Sequence, residues 1–462
     1  MRPQMFWRMR TRLTLYLAWL VTACATWQQT DTPLDREIAV ETFDSAWRIV
    51  YETHFDTTFN GVDWVALRHE LRQQAAAADD VGRLRAVIED MLGRLGQSHF
   101  TLIPEERTDV QDPRRAAEPT SPVGDPGLDV RLIGDQVVVS RVDSGSAADA
   151  AGVEPGWLVL AIETDPIDSV VESARGSPDP HALGARVWKE VMNRLAGPSG
   201  VVRRVAFLDS NDSEQDLSLV LGPRPGIPVK FGNFPTFYSR FESRVVQSDG
   251  VSAGFIWFNN WMVPLVAQLD AAMDRFRRLD GVIIDLRGNT GGLGAMVMGV
   301  AGHFYAEQKT LGTMKTRETE LRYFANPRLT DTAGNPVKPF DGPAAILIDG
   351  ITASASEIFA GGMQHTGRVR VFGQTSMGAV LPATTNRLPN GDVLYHAIGD
   401  FTTAAGERLE GRGVLPDEPV PLTREALVAG VDPCLTAALR WIAEQHSVGS
   451  VQPGSGEQRR ME

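Results

Sequence analysis

The sequence of 462 residues predicts an α/β fold built on a largely parallel sheet. Three observations predict it. Apolar runs with the length and branching of buried strands recur at Val251 to Phe258, Val282 to Leu286, around Ile346 and at Val369 to Phe372. Helical patterns such as Pro264 to Leu279 alternate with them. The composition, 43% hydrophobic and 22% charged, is that of a globular chain long enough for two or three domains.

The chain opens with features of an export signal. Arg2, Arg8, Arg10 and Arg12 form a positive n-region, and Leu13 to Val21 a short apolar h-region. That run is too short to span a bilayer comfortably. It ends Leu20-Val21-Thr22-Ala23-Cys24, which resembles a bacterial lipobox with Cys24 as the lipidated residue. The alternatives are an ordinary signal peptide cut nearby, or a core helix. Residues 1–24 are therefore expected to be a lipoprotein signal peptide, with a membrane partner through the lipid anchor, and 25–34 a polar tether. If Cys24 carries lipid no disulfide forms, because Cys434 is the one other cysteine. A lipid-anchored protein of this kind faces the periplasm of a bacterial cell envelope. The formal net charge of −13 argues against nucleic acid as a partner.

Residues 35 to about 97 read as helical. Phe43, Trp47, Val50 and Tyr51 share one face, Trp64, Leu67 and Leu71 a second, and Leu84, Val87, Ile88, Met91, Leu92 and Leu95 a third. The pattern closes in Leu95-Gly96-Gln97-Ser98-His99-Phe100, where a histidine in a turn is most simply a satisfied structural residue. Residues 105–125 are polar and Pro-containing, a linker. From Gly127 short alternating strands lead to Ser146-Ala147-Ala148-Asp149-Ala150-Ala151-Gly152-Val153, which resembles a PDZ domain of the protease-associated kind. Trp157 stands where that pattern has an aspartate. The resemblance implies peptide binding by strand addition at Gly127, Leu128, Asp129 and Val130. The alternative is a domain that packs on the core as a gate. A helix is expected over Ala182 to Leu195 and closing strands over Val201 to Leu221.

Two stretches of the core carry chemistry. Gly281 to Gly294 reads GVIIDLRGNTGGLG, a strand and a glycine turn with no Lys-Ser/Thr to make a phosphate loop. Ala344 to Ala360 reads AAILIDGITASASEIFA, a strand, a small-residue turn and a helix start. Such a turn holds a side chain at a helix N-terminus, where free N–H groups and the dipole favour a developing oxyanion. Taken alone, Ser354 or Ser356 would simply cap the helix, with Glu357 completing a capping box. Together, Asp285-x-Arg287-x-Asn289-x-Gly291-Gly292 and Ser354-Ala355-Ser356-Glu357 resemble the carboxy-terminal processing protease and tricorn-core family of serine peptidases. The resemblance runs from about Phe43 to the final helix. It includes Gly61-Val62-Asp63-Trp64 as the signature of an N-terminal helical bundle. It implies a ββα core of the ClpP/crotonase-like kind, with that bundle in front and the PDZ-like β domain inserted.

The best-known branch of the family uses a lysine base in a later F-G-K-G turn. Here the turn reads Phe372-Gly373-Gln374-Thr375-Ser376-Met377-Gly378, and Ala379 stands where the lysine should be; Ala383 replaces a glutamine. A serine hydroxyl is a weak nucleophile until a base takes its proton. The tricorn-like branch draws a histidine from the L-G-x-S-H junction, which implies His99 as base, with an ordinary pKa near ~6.5. Ser98 and Glu410, the latter before Gly411-Arg412-Gly413-Val414-Leu415-Pro416-Asp417, would orient it. The oxyanion hole would be N–H groups of Ala355 and of the Gly291-Gly292 turn.

The expected organisation is 1–24 signal, 25–104 tether and helical bundle, 105–225 linker and PDZ-like domain, 226–446 peptidase core, and 447–462 disordered tail. The expected activity is hydrolysis of unfolded or C-terminally presented polypeptides, without metal or organic cofactor. The eight histidines show no H-E-x-x-H or comparable ligand spacing. A catalytically dead homologue acting as a peptide-binding module is the alternative. A crotonase-like acyl-CoA enzyme would leave the PDZ-like segment unexplained.

Overall fold

The computed structural model describes residues 34–108, 123–176, 182–248 and 250–450. Cys24, the signal, the tether up to residue 33, most of the expected linker and residues 451–462 lie outside them. No helix among the described residues is long and apolar enough to cross a membrane.

Helices Arg36–Thr53, Trp64–Ala76 and Val81–Gly93 form the N-terminal bundle, each started by an aspartate cap: Asp35, Asp63 and Asp80. Phe43, Val50, Trp64, Leu71, Leu84, Ile88 and Leu95 fill its centre. Trp47 and Trp64 each donate their indole N–H to the other's backbone carbonyl. Tyr51, expected on the buried face, is 43% exposed, because it stacks on Trp47 at the rim instead.

The second unit is a sheet of strands 128–133, 136–142, 158–162, 202–208 and 214–220 in that order, with Asp165–Pro166 paired on the third. Helices Ile167–Arg175 and Leu183–Leu195 cover it; the first was not expected. Val123–Asp125, expected as linker, is a strand held between Gly222–Pro223 and Gly197–Pro198. Leu128–Ile133 is the sheet's edge strand.

The core sheet has six strands in the order 241–248, 251–258, 281–285, 344–348, 370–373 and 418–419. The first is antiparallel to its neighbour and the others are parallel. Helices Val266–Phe276, Gly294–Ala301 and Ala355–His365 make the crossovers. Both chemistry-bearing turns therefore leave the carboxyl ends of neighbouring strands, Gly281–Asp285 and Ala344–Ile348, where α/β sheets open a crevice. The Asn390-Gly391 hairpin joins strands 383–387 and 393–397 and also pairs with Thr101–Ile103. This pairing ties the bundle to the core. The last helix runs Pro433–Ser450, past the expected end at Gln445 and into the first residues of the expected disordered tail, 447–450.

Candidate active site

Ser354 stands at the N-cap of helix Ala355–His365 with φ +55° and ψ −120°, a conformation that costs a residue with a Cβ on the order of 1–3 kcal/mol. It forms a capping box with Glu357 while its own side chain stays only half-buried. From Ile351 to Met363 every residue is buried except Ser354. Its N–H donates to Ala379 O at 2.8 Å and to Glu357 Oε2 at 2.9 Å. Ser356 is fully buried, accepting from Trp261 Nε1 and donating to Asn289 O. Ser356 is a structural residue.

Glu357 carries no solvent exposure. Burial pushes its carboxyl up to about 7, against four donors: Ser376 Oγ at 2.5 Å, Gly378 N at 2.7 Å, Ser354 N and Ala379 N. One carboxylate thus fixes both the Ser354 turn and the segment where the family lysine would stand.

His99 follows the bundle with φ +62°. Ser98 Oγ lies 2.6 Å from His99 Nδ1 and donates to Glu410 Oε2 at 2.9 Å; Ser98 N donates to Glu410 Oε1 at 2.8 Å. A hydroxyl has one proton. Spent on Glu410, it leaves Ser98 Oγ to accept from His99 Nδ1–H, so Nε2 carries the free lone pair. Val380 N donates to Glu410 Oε2 at 2.9 Å. Ser354 and the His99 relay are thereby fixed to consecutive residues, Ala379 and Val380. Among the described residues no hydrogen bond joins His99 to Ser354. Burial lowers His99 to about 4 instead of leaving it near its ordinary value, and raises Glu410.

The oxyanion expectation needs one correction. Gly291 N–H is taken by Asn289 Oδ1 at 3.0 Å, because the asparagine folds back over its own turn. Of the Gly291-Gly292 pair, the N–H of Gly292 has no hydrogen-bond acceptor among the described residues. Both glycines are required: at φ +96° a Cβ on Gly291 would lie 2.6 Å from Ser354 Cβ, and at φ +140° one on Gly292 would lie 2.6 Å from Trp261 O. Asn289 also donates to Phe258 O.

Charged side chains brace the two turns from behind. Asp349 accepts from Gly288 N, Ile351 N and Thr352 N, and from Arg131 Nε at 2.7 Å. Burial would raise Asp349, but Arg131 and these N–H groups hold it below the usual carboxylate range. Arg287 bridges Asp285 and Asp432 at 2.6 and 2.7 Å and clamps the first turn to the last helix. Of the expected peptide-binding residues, Leu128 and Val130 point into their own core, while Asp129 is tied to Arg131 and to Trp188 Nε1. Gly127 O accepts from Asp143 N and Ser146 Oγ. No group of three or more His, Cys, Asp or Glu among the described residues could hold a metal ion.

The family model for peptidase family S41 matches residues 253–420, which contain both turns, and the tricorn protease C1 domain model matches 39–93, the bundle. The core of the chain, residues 253–420, is of peptidase family S41. This S41 serine peptidase is 25% identical over 402 residues to a carboxyl-terminal-processing protease of Picosynechococcus sp., covering 84% of this chain and 86% of that protein. The fold is similar to that of the photosystem II D1 C-terminal processing protease (TM-score 0.54, 21% identity, 88% of this chain and 97% of the other). It is also similar to mature CPAF (TM-score 0.61, 12% identity, 90% and 99%).

Sequence reasoning missed how much of the S41 site is scaffold. Asn289, Asp349, Ser376 and Arg131 were not singled out for the contacts they make. A signal existed for two of them: Asn289 and Asp349 each stand in a turn immediately after a buried strand, where a short polar side chain bonds its own backbone.

Proposed function

We propose that this S41 peptidase hydrolyses peptide bonds in unfolded or C-terminally presented polypeptides, with Ser354 as nucleophile and His99 as base. One observation carries the reading: the Glu410–Ser98–His99 relay, which leaves Nε2 as acceptor and is held one residue from the carbonyl that holds Ser354.

Ser354 Oγ attacks the scissile carbonyl while His99 Nε2 takes its proton. The imidazolium so formed is stabilised by Glu410 through Ser98. The tetrahedral oxyanion is received by the N–H groups of Ala355 and Gly292. His99 then protonates the leaving amine, and a water molecule repeats the sequence on the acyl-enzyme. Hydrogen bonds of this kind often tighten only with substrate in place, which accounts for the open His99–Ser354 pair. The assembled relay supports this reading over that of a dead homologue.

In this reading 25–104, 105–225 and 226–446 are bundle, PDZ-like and peptidase units, the last being a ClpP/crotonase-like core. Strand 128–133, the edge strand of its sheet, receives peptide by strand addition at Gly127 to Val130. Cys24 carries the lipid that holds the enzyme to a bacterial envelope membrane, facing the periplasm.

A fluorophosphonate probe tests the nucleophile. The wild type is expected to be labelled at Ser354, and Ser354→Ala to lose both labelling and peptide hydrolysis while keeping its Tm. Labelling at another serine would overturn the assignment.

A further inference from the structure

The hairpin Ile227–Val229 with Phe237–Ser239 carries Phe231, Phe234 and Phe237 at and beside its tip. Phe234 is the centre of a ladder: its ring lies 6.2 Å from that of Phe231, 5.7 Å from Phe237 and 5.1 Å, edge-on, from Tyr395. Tyr395 in turn packs edge-on against His99 at 5.3 Å. Among the described residues none of these four aromatic side chains belongs to a hydrophobic core, and Phe231 is 42% exposed. The tip is held down by Asn233 Nδ2, which donates to Thr385 Oγ1 at 3.3 Å on the strand beside Tyr395. Folding has therefore arranged apolar rings in a continuous row from solvent to the base, without using them to bury one another fully. Aromatic surface left outside every core and continuous with a reactive group is surface kept for a ligand.

The chemistry of the base fixes which part of the substrate passes there. His99 hands its proton to the leaving amine, so the amine departs on the His99 side of the scissile bond. The residues that follow that amine then run beyond His99, onto Tyr395 and the hairpin. We propose that Phe231, Phe234, Phe237 and Tyr395 form the subsite for the residues on the carboxyl side of the scissile bond, and that it selects large apolar or aromatic side chains there. The subsite rests on the reading of His99 as the base.

The test uses two peptides identical up to the scissile bond, with Phe or Ser in the two positions after it. The wild-type chain is expected to favour the Phe peptide by about tenfold or more in kcat/KM, the scale at which an apolar pocket discriminates. In Phe231→Ala and Phe234→Ala that ratio falls toward one, while Phe234→Leu, which keeps an apolar side chain, retains most of it. A retained Tm in Phe231→Ala shows that the change is not one of folding. A ratio near one in the wild type, or a ratio that survives Phe234→Ala, overturns the subsite. Absence of fluorophosphonate labelling in the wild type would instead overturn the Ser354 reading beneath it, and the subsite with it.

Discussion

Ser354 and His99 share a backbone oddity: both are non-glycine residues with positive φ, +55° and +62°. Strain of this kind persists only where surrounding contacts enforce it, and it concentrates at reactive positions. Around Ser354 the enforcement comes from Glu357 and Ala379, and around His99 from Ser98 and Glu410. The relay makes a prediction about pH. Because burial holds His99 down to about 4, kcat/KM rises with pH through an ionisation well below 6.5 and is flat at neutral pH. Glu410→Gln removes the carboxylate that stabilises the imidazolium, so that limb moves lower still and activity falls by about tenfold or more. A profile of kcat/KM against pH in both proteins checks this, and a wild-type limb at or above 6.5 would refute it. The hydrogen-bonded set Ser98, His99 and Glu410 joins residues that the motifs had singled out, and Ser354 is the nucleophile proposed beside it. The lowered pKa was not legible in the sequence, because it depends on what the fold packs around the ring. Nor was the loss of Gly291 N–H to Asn289, which follows from one side-chain rotamer.

The helix Ala355–His365 begins where its dipole and free N–H groups are most useful, and Glu357 is what fixes that beginning. Its two oxygens serve four donors, so Glu357→Gln turns one acceptor into a donor facing N–H or O–H groups. The expected cost is about 1–3 kcal/mol of stability, as for a buried group left without its partner. It comes with a fall in kcat larger than any rise in KM, since Ser354 loses its anchor. Thermal unfolding and steady-state kinetics check this together; an unchanged kcat would show that Ala379 O alone holds the turn. At this scale the sequence told most about regular elements. The parallel strands, the Asn390-Gly391 hairpin and the bundle helices were all readable from periodicity and turn residues. Hidden were the pairing of Thr101–Ile103 with Val393–Ala397 and the sheet of strands 320–325, 309–315 and 400–403, in that order. Pairings between segments far apart in sequence leave no local pattern, and Lys309–Lys315 and Glu320–Ala325 are too polar on one face to stand out.

The proposed site draws on three distant parts of the chain: His99 at the exit of the bundle, Ser354 in the core and Glu410 near its end. Their assembly depends on the bundle staying docked, through Thr101–Ile103 and through His396, which lies between Thr53 Oγ1 and Asn386 Oδ1. Burial lowers His396 to about 4, so between that value and the ordinary 6.5 the unfolded chain binds a proton that the folded one does not. Stability from this group is therefore full above 6.5 and is lost as pH falls toward 4. His54 and His303 shift the same way, while the raised Glu357 works in the opposite sense. Comparing His396→Gln with wild type isolates the effect: the Tm gap between them should shrink as pH is lowered from 7 to about 4.5, and a constant gap would count against it. The measurement that bears most directly on the whole arrangement is kcat/KM for His99→Ala against wild type at neutral pH. A loss on the order of 10³-fold or more, with Tm retained, is the predicted result for a triad base. Activity near that of wild type would mean that the proton of Ser354 goes elsewhere, and that the histidine does not replace the absent lysine.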